Sequence, residues 1–219
     1  MMQPEMQPEP IKRPICPTCL RPQRTCICEW ITPTDNTVEL LILQHPLEVD
    51  QAKGSARLLT LSLARSEVIV GETFDEADLR DRLHAAWPGA AAPGYTVLLY
   101  PDSPDDPGLK LATPPVLDQM QLQQSARLRL VVLDGTWRKS RKMLYLNPLL
   151  QQLPRLALRD VPPSRYLIRK AHAPGQLSTL EATCQALMQL EQNQEKYLPL
   201  LQAFSGFVGR QAGYADRSE

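Results

Sequence analysis

The chain has 219 residues, with 24 Lys and Arg against 24 Asp and Glu, so its formal net charge is zero. Apolar residues make up 43% and charged residues 22%, proportions of a soluble globular protein that exclude a collagen-like, low-complexity or wholly disordered chain. The length suits one domain with a small satellite, no apolar run approaches the ~18 residues that span a bilayer, and no signal-type apolar core is present, so a cytoplasmic setting is expected.

Residues 1–14 are rich in Met, Gln, Glu and Pro and read as a flexible tail; residues 15–30 are dense in cysteine. TVELLIL (37–43) reads as a strand ending at His45-Pro46. Residues 51–64 carry apolar positions at helical spacing, with Gly54 weakening the first turn. SEVIV (66–70) is a second strand stopped by Gly71, and Asp75 to Trp87 a helix with an acidic first turn. YTVLLY (95–100) is a third strand before the turn-rich PDSPDDPG. RLRLVVL (127–133) is a fourth, whose continuous apolar end predicts burial on both faces.

A helix is expected over 138–150 and a fifth short strand at RYLIR (165–169). Leu177-Ser178 opens a long helix to about Gln192, with Glu181 completing a capping box, and residues 195–207 form a terminal helix or two short ones. The alternation of strands and helices predicts an α/β domain over 31–208, with 209–219 as a second flexible tail.

Cys16, Cys19, Cys26 and Cys28 form C-x2-C-x6-C-x-C within thirteen residues. Close cysteine pairs on turns aim four thiolates at one centre, as tetrahedral zinc requires. A disulfide pair is disfavoured by a reducing setting, and a redox CxxC normally opens a helix, which the Pro-rich surroundings do not suit. The expectation is structural zinc with no coordination position left for catalysis. The knuckle is either a staple on the N-terminal segment or, as Arg21 and Arg24 mildly favour, a contact for an anionic partner. Cys184, in an apolar helix, reads as core.

The zero net charge is unevenly distributed. Residues 31–126 hold six basic and fourteen acidic side chains, a net of −8, whereas residues 127–170 hold eleven basic and two acidic, a net of +9. Such a run is either a solvated helix face with scattered loop charges or a basic surface beside an anionic ligand.

Asp134-Gly135-Thr136-Trp137 links the buried fourth strand to the basic helix RKSRKM (138–143). Ligands of α/β sheets bind at the carboxyl ends of strands. Asp134, Thr136 and Trp137 are therefore the catalytic candidates, with Val131 and Leu133 beside them; a plain capped turn over ordinary core is the alternative. Arg138, Lys139, Arg141 and Lys142 place several charges on neighbouring helix faces, and Arg165, Arg169 and Lys170 would extend that patch.

These elements together resemble the DTW-domain family: the strand with DGTW and RKSRKM, His45-Pro46-x-Glu48 upstream, LLYPDSP (98–104) between them, and SRYLIRK with QLSTLEA (164–170 and 176–182) downstream. The resemblance covers roughly residues 15–205, and the knuckle fits bacterial members. It implies a SPOUT-like, mostly parallel sheet flanked by helices, with a C-terminal knot. It also implies transfer of the 3-amino-3-carboxypropyl group of S-adenosylmethionine to N3 of a uridine in the tRNA variable loop, releasing 5′-methylthioadenosine.

By that resemblance Leu99, Tyr100, Ile168, Leu177, Ser178 and Thr179 contact the adenosine, with Val131, Leu133, Asp134 and Trp137 lining the same pocket. Ser55 stands where the family often has Thr; Gly54 replaces the preceding Asn, and Lys53 is the available polar neighbour. Asp134 is either the general base for N3–H or the group that orients the donor's amine. Tyr166 is a core tyrosine or a stacking partner for a flipped base. His45 orients the donor or Glu48, or is structural, and His84 and His172 lack ligand spacing.

Overall fold

The computed structural model describes residues 14–49, 51, 54–101, 111–158 and 177–215. Five strands form one parallel sheet: β1 (Glu39–Gln44), β2 (Ser66–Val70), β3 (Tyr95–Leu99), β4 (Leu128–Asp134) and β5 (Arg155–Leu156). Their spatial order is β2-β1-β4-β3-β5. The α-helices are α1 (Ala56–Ser62), α2 (Glu76–His84), α3 (Gln119–Leu122), α4 (Trp137–Leu146), α5 (Pro148–Gln151), α6 (Thr179–Leu190) and α7 (Leu198–Ala215).

Strand β4 inserts between β1 and β3, so the chain leaves β1 toward one edge of the sheet and leaves β4 toward the other. In open α/β sheets this divergence opens a crevice above the carboxyl ends of the two central strands. Every residue of β1 and β4 is buried, as expected for central strands covered on both faces.

Side-chain alternation divides the interior into two cores. Leu40 and Ile42 of β1 and Leu128, Leu130 and Val132 of β4 pack with α1, α6, α7 and the cysteine knuckle. Leu41, Leu43, Val131 and Leu133 point to the other face and pack with α2, α4 and α5. Cys184 is fully buried in the first core, as expected, and burial pushes its thiol pKa up.

Local chemistry sets the helix ends. Asp75 caps α2 by accepting from the amides of Ala77 and Asp78, and Ser178 and Glu181 complete the capping box of α6. The helix expected over 138–150 is two helices, because Asn147 precedes Pro148 and leaves helical geometry at φ −122°, ψ 87°. The helix expected over 51–64 is confined to α1. Strand β5 was not anticipated, and the strand expected at 165–169 lies outside the described residues.

The segment 209–219, expected as a tail, begins inside α7. Arg210 of that helix donates to the Cys26 carbonyl at 3.0 Å, pairs with Glu29 and lies 5.3 Å over the Trp30 ring. At Gly206 an added Cβ would come within 2.3 Å of Trp30, so only glycine allows α7 this close to the knuckle. Among the described residues, no helix is long and apolar enough to cross a membrane.

Candidate functional site at the carboxyl ends of β1 and β4

Asp134 and Gln44 are the last residues of adjacent strands and stand opposite each other in register. The Gln44 amide donates to Asp134 Oδ2 at 2.8 Å, and the Thr179 side chain at the start of α6 also hydrogen-bonds the carboxylate. The Asp134 carbonyl accepts from the His45 amide at 2.9 Å, which ties the two strand ends together. Asp134 is 5% exposed, and that burial raises its carboxyl pKa against the lowering effect of Thr179 and Gln44. The result is a carboxylate with increased proton affinity, held from two sides.

Thr136 caps α4, its hydroxyl accepting from the Lys139 amide at 3.4 Å. Trp137 is 47% exposed and stacks on Tyr100 at 5.1 Å between centroids and 21° between planes. Arg155 lies 5.4 Å over the other partner of that stack, Tyr100. The arrangement is a rigid aromatic platform beyond the end of β3, adjoining Asp134 through two residues of chain.

The His45-Pro-Leu-Glu48 turn is strapped onto α4. His45 Nδ1 accepts from the Leu47 amide at 3.1 Å, so Nε2 carries the proton and donates to Glu72 at 3.0 Å. Glu72 also pairs with Lys142 at 2.9 Å; Lys142 and His45 both hold its carboxyl below the ordinary value. Glu48 pairs with Lys139 at 2.7 Å.

These pairs revise the expected basic helix face. Lys139 and Lys142 are matched by acids from other elements, Arg138 projects exposed to solvent, and Arg141 is partly buried. Arg129 does not belong to the surface at all. It is buried against Glu39 with Nε and Nη2 at 3.1 and 2.9 Å from Oε2, under the Trp87 ring. Arg155 is also buried. Arg165, Arg169, Lys170, Tyr166 and Ile168 lie outside the described residues.

Among the expected adenosine contacts, Thr179 hydrogen-bonds Asp134, Tyr100 packs in the second core against Trp137, and Leu177 and Ser178 are half-buried at the start of α6. Leu99 packs partly buried against the first core. Val131 is fully buried and Leu133 nearly so in the second core, where they support the strand instead of facing an opening. Ser55 is buried at the start of α1 and makes no side-chain cap. The sequence reading missed Gln44 and Glu72. A buried polar residue closing an otherwise apolar strand, just before His45-Pro46, was the available signal for Gln44.

The four knuckle cysteines converge: Cys16 and Cys28 sulfurs are 3.6 Å apart, Cys19 and Cys26 sulfurs 3.7 Å, and all four lie within 4.8 Å of one another. Zinc–sulfur bonds of about 2.3 Å in a tetrahedron put sulfurs about 3.8 Å apart, so the donor set fits zinc. Backbone amides of Cys19 and Thr18 lower the Cys16 thiol to about 6, whereas burial raises the Cys28 thiol to about 12. With four sulfurs around it such an ion is structural.

Fold and site define a parallel α/β protein with a buried acid at the point where its strand order diverges, joined to a four-cysteine knuckle. The family model described as the DTW domain matches residues 13–212, and the chain belongs to that family. It is 31% identical over 212 residues to "tRNA-uridine aminocarboxypropyltransferase 2" of Macaca fascicularis, covering 93% of this chain and 66% of that protein. Against the mouse protein of the same name the identity is 31% over 204 residues, covering 90% and 64%. "tRNA-uridine aminocarboxypropyltransferase A" of Arabidopsis thaliana is 30% identical over 139 residues, covering 61% of this chain and 51% of that protein. The chain thus spans just under two thirds of the length of the first two relatives. No solved structure matches it.

Proposed function

We propose that this protein transfers the 3-amino-3-carboxypropyl group of S-adenosylmethionine to N3 of a uridine in the tRNA variable loop, releasing 5′-methylthioadenosine. The reading rests first on Asp134, a buried carboxylate of raised proton affinity held by Gln44 and Thr179 at the divergence of the sheet. It rests second on relatives carrying that activity in their names.

In the transfer, the N3–Cγ bond forms as the Cγ–S bond breaks. The bonding pair passes to sulfur, leaving a neutral thioether, and the N3 proton passes to Asp134. Asp134 acts as the base, with the proton affinity that burial confers. Gln44 and Thr179 orient it, and the latter joins it to α6. Trp137 and Tyr100 take one face of the adenine, and Leu99, Leu177 and Ser178 with Ile168 complete the donor pocket. Selectivity for Cγ over the methyl carbon is then a matter of holding the donor's chain in line with N3.

Arg138 and Arg141, with Arg165, Arg169 and Lys170, hold phosphates of the RNA. Lys139 and Lys142 join them only by exchanging Glu48 and Glu72 for phosphate. Zinc on Cys16, Cys19, Cys26 and Cys28 fixes the knuckle. A SPOUT-like architecture with a C-terminal knot accords with the parallel sheet, and a reducing, cytoplasmic setting accords with five cysteines in thiol form.

Nucleoside mass spectrometry of tRNA incubated with the protein and S-adenosylmethionine tests the reading. Aminocarboxypropyl-uridine and methylthioadenosine should appear in equal amounts. S-adenosylhomocysteine with a methylated nucleoside would instead make the protein a methyltransferase, and unaltered tRNA would leave a binding protein.

A further inference from the structure

A second opening lies at the carboxyl edge of the sheet, on the side of β1 and β2 away from the aromatic platform. It is a cleft of about 370 Å³ between the knuckle, the start of α1 and the ends of β1 and β2. Leu20, Val49 and Val70 provide apolar walls, Arg57 and Arg21 cationic ones, the Arg21 guanidinium donating to the Gln51 and Gly54 carbonyls at 3.2 Å, and Gln44 lies on its lining. Gln44 is thus shared: it faces this cleft and holds Asp134.

Three features of the cleft point to one occupant. Its volume admits a nucleoside and its walls combine apolar surface with two guanidinium groups, which suits a flat base carrying a phosphate. Arg57 donates to the Thr18 carbonyl at 2.8 Å, and its buried Nε has no hydrogen-bond partner. Leu20, in the left-handed region at φ 56°, presents its side chain 63% exposed at the rim.

Geometry separates this site from the donor's. The Tyr100–Trp137 platform stands beyond the end of β3, on one side of β4, whereas the cleft opens at the ends of β1 and β2, on the other. A displacement at carbon requires the nucleophile to approach opposite the leaving sulfur. With the donor on the β3 side of Asp134, N3 must arrive from the β1 side, where the cleft lies. We infer that the cleft between the knuckle and the ends of β1 and β2 is the acceptor pocket, taking the target uridine, unstacked from the RNA, with its N3–H turned toward Asp134 and Gln44. The inference rests on the transferase reading above and adds to it the place of the acceptor and a substrate-binding role for the knuckle.

Two measurements on the full-length, zinc-loaded protein test this. Val70 is 51% exposed at the end of β2, so Val70→Trp fills the cleft without entering a core. The variant should raise KM for tRNA about tenfold, the loss expected when one stacked base is displaced, and leave S-adenosylmethionine affinity unchanged. In parallel, tRNA carrying 4-thiouridine at the target position should photocrosslink to wild-type peptides containing residues 20–25 or 68–70. Crosslinks confined to other segments, an unmoved KM, or a loss of S-adenosylmethionine affinity in Val70→Trp would overturn the assignment. If Val70→Trp does not fold, the crosslink alone decides. Wild-type protein that releases no methylthioadenosine with tRNA would overturn the transferase reading itself, a different outcome from wild-type turnover with crosslinks elsewhere.

Discussion

Gln44 and Asp134, 90 residues apart in the chain, end neighbouring strands at the same register position, and the amide of one donates to the carboxylate of the other at 2.8 Å. The bond joins the two halves of the sheet at the point where their connections diverge. In Gln44→Leu this donor is lost, so the Asp134 carboxyl moves further above its ordinary value. The acid limb of the kcat profile should shift to higher pH, a change that mere loosening of the fold would not produce, and Gln44→Asn should restore part of it.

Asp134→Asn keeps an oxygen for its two donors and removes the buried charge. On the proposed role of Asp134 as general base, the variant should lose at least about 100-fold in kcat. Stability should move the other way. Burial raises the folded carboxyl above the unfolded value, so its contribution favours folding below the unfolded value and is lost as pH rises through the folded one. Melting curves from about pH 3.9, the unfolded aspartate value, to neutrality should therefore show wild type losing ground to the variant as pH rises.

Arg138 and Lys139 are adjacent but electrostatically unlike: among the described residues, Lys139 pairs with Glu48 at 2.7 Å and Arg138 is exposed. Arg138→Ala should reduce the slope of log affinity for tRNA against log salt by about one. Lys139→Ala should reduce it less, and Glu48→Gln, which releases Lys139, should steepen it. Equal effects of the two alanine variants in a salt series would contradict the pairing.

Arg129 carries its charge in the interior, not on the surface. Replacing it with Met strands part of Glu39 in the interior and should cost about 3–5 kcal/mol in denaturant unfolding, as for other broken buried pairs. The salt slope of tRNA binding should not change.

Removing Cys16 and Cys19 together as serines should abolish binding of one zinc per chain, read by elemental analysis, and lower the melting temperature. Arg210→Ala, which unties α7 from the knuckle without touching a ligand, should keep the zinc and lose only part of the stability. Retention of native stability in a metal-free double variant would remove zinc from the fold.

Much of this protein is legible along the chain because its signals are local. The apolar runs at 37–43, 66–70, 95–100 and 127–133 are strands within two residues of their observed bounds, since short runs rich in Val, Ile and Leu suit strands covered by helices. The capping box at Ser178 and the convergence of four cysteines follow from spacings of a few residues, which fix what neighbouring side chains can reach. The family, too, is carried by short motifs kept in order.

Tertiary structure alone decided which charges face solvent and what holds the central acid. The +9 of residues 127–170 counts Arg129, which is interior, and Lys139 and Lys142, which meet Glu48 and Glu72 from turns more than 60 residues earlier. Gln44 is an ordinary polar strand end until β4 inserts beside β1 and brings Asp134 within hydrogen-bond reach. Electrostatics and hydrogen bonding act through space over a few ångströms, and distance along the chain does not report distance in the fold.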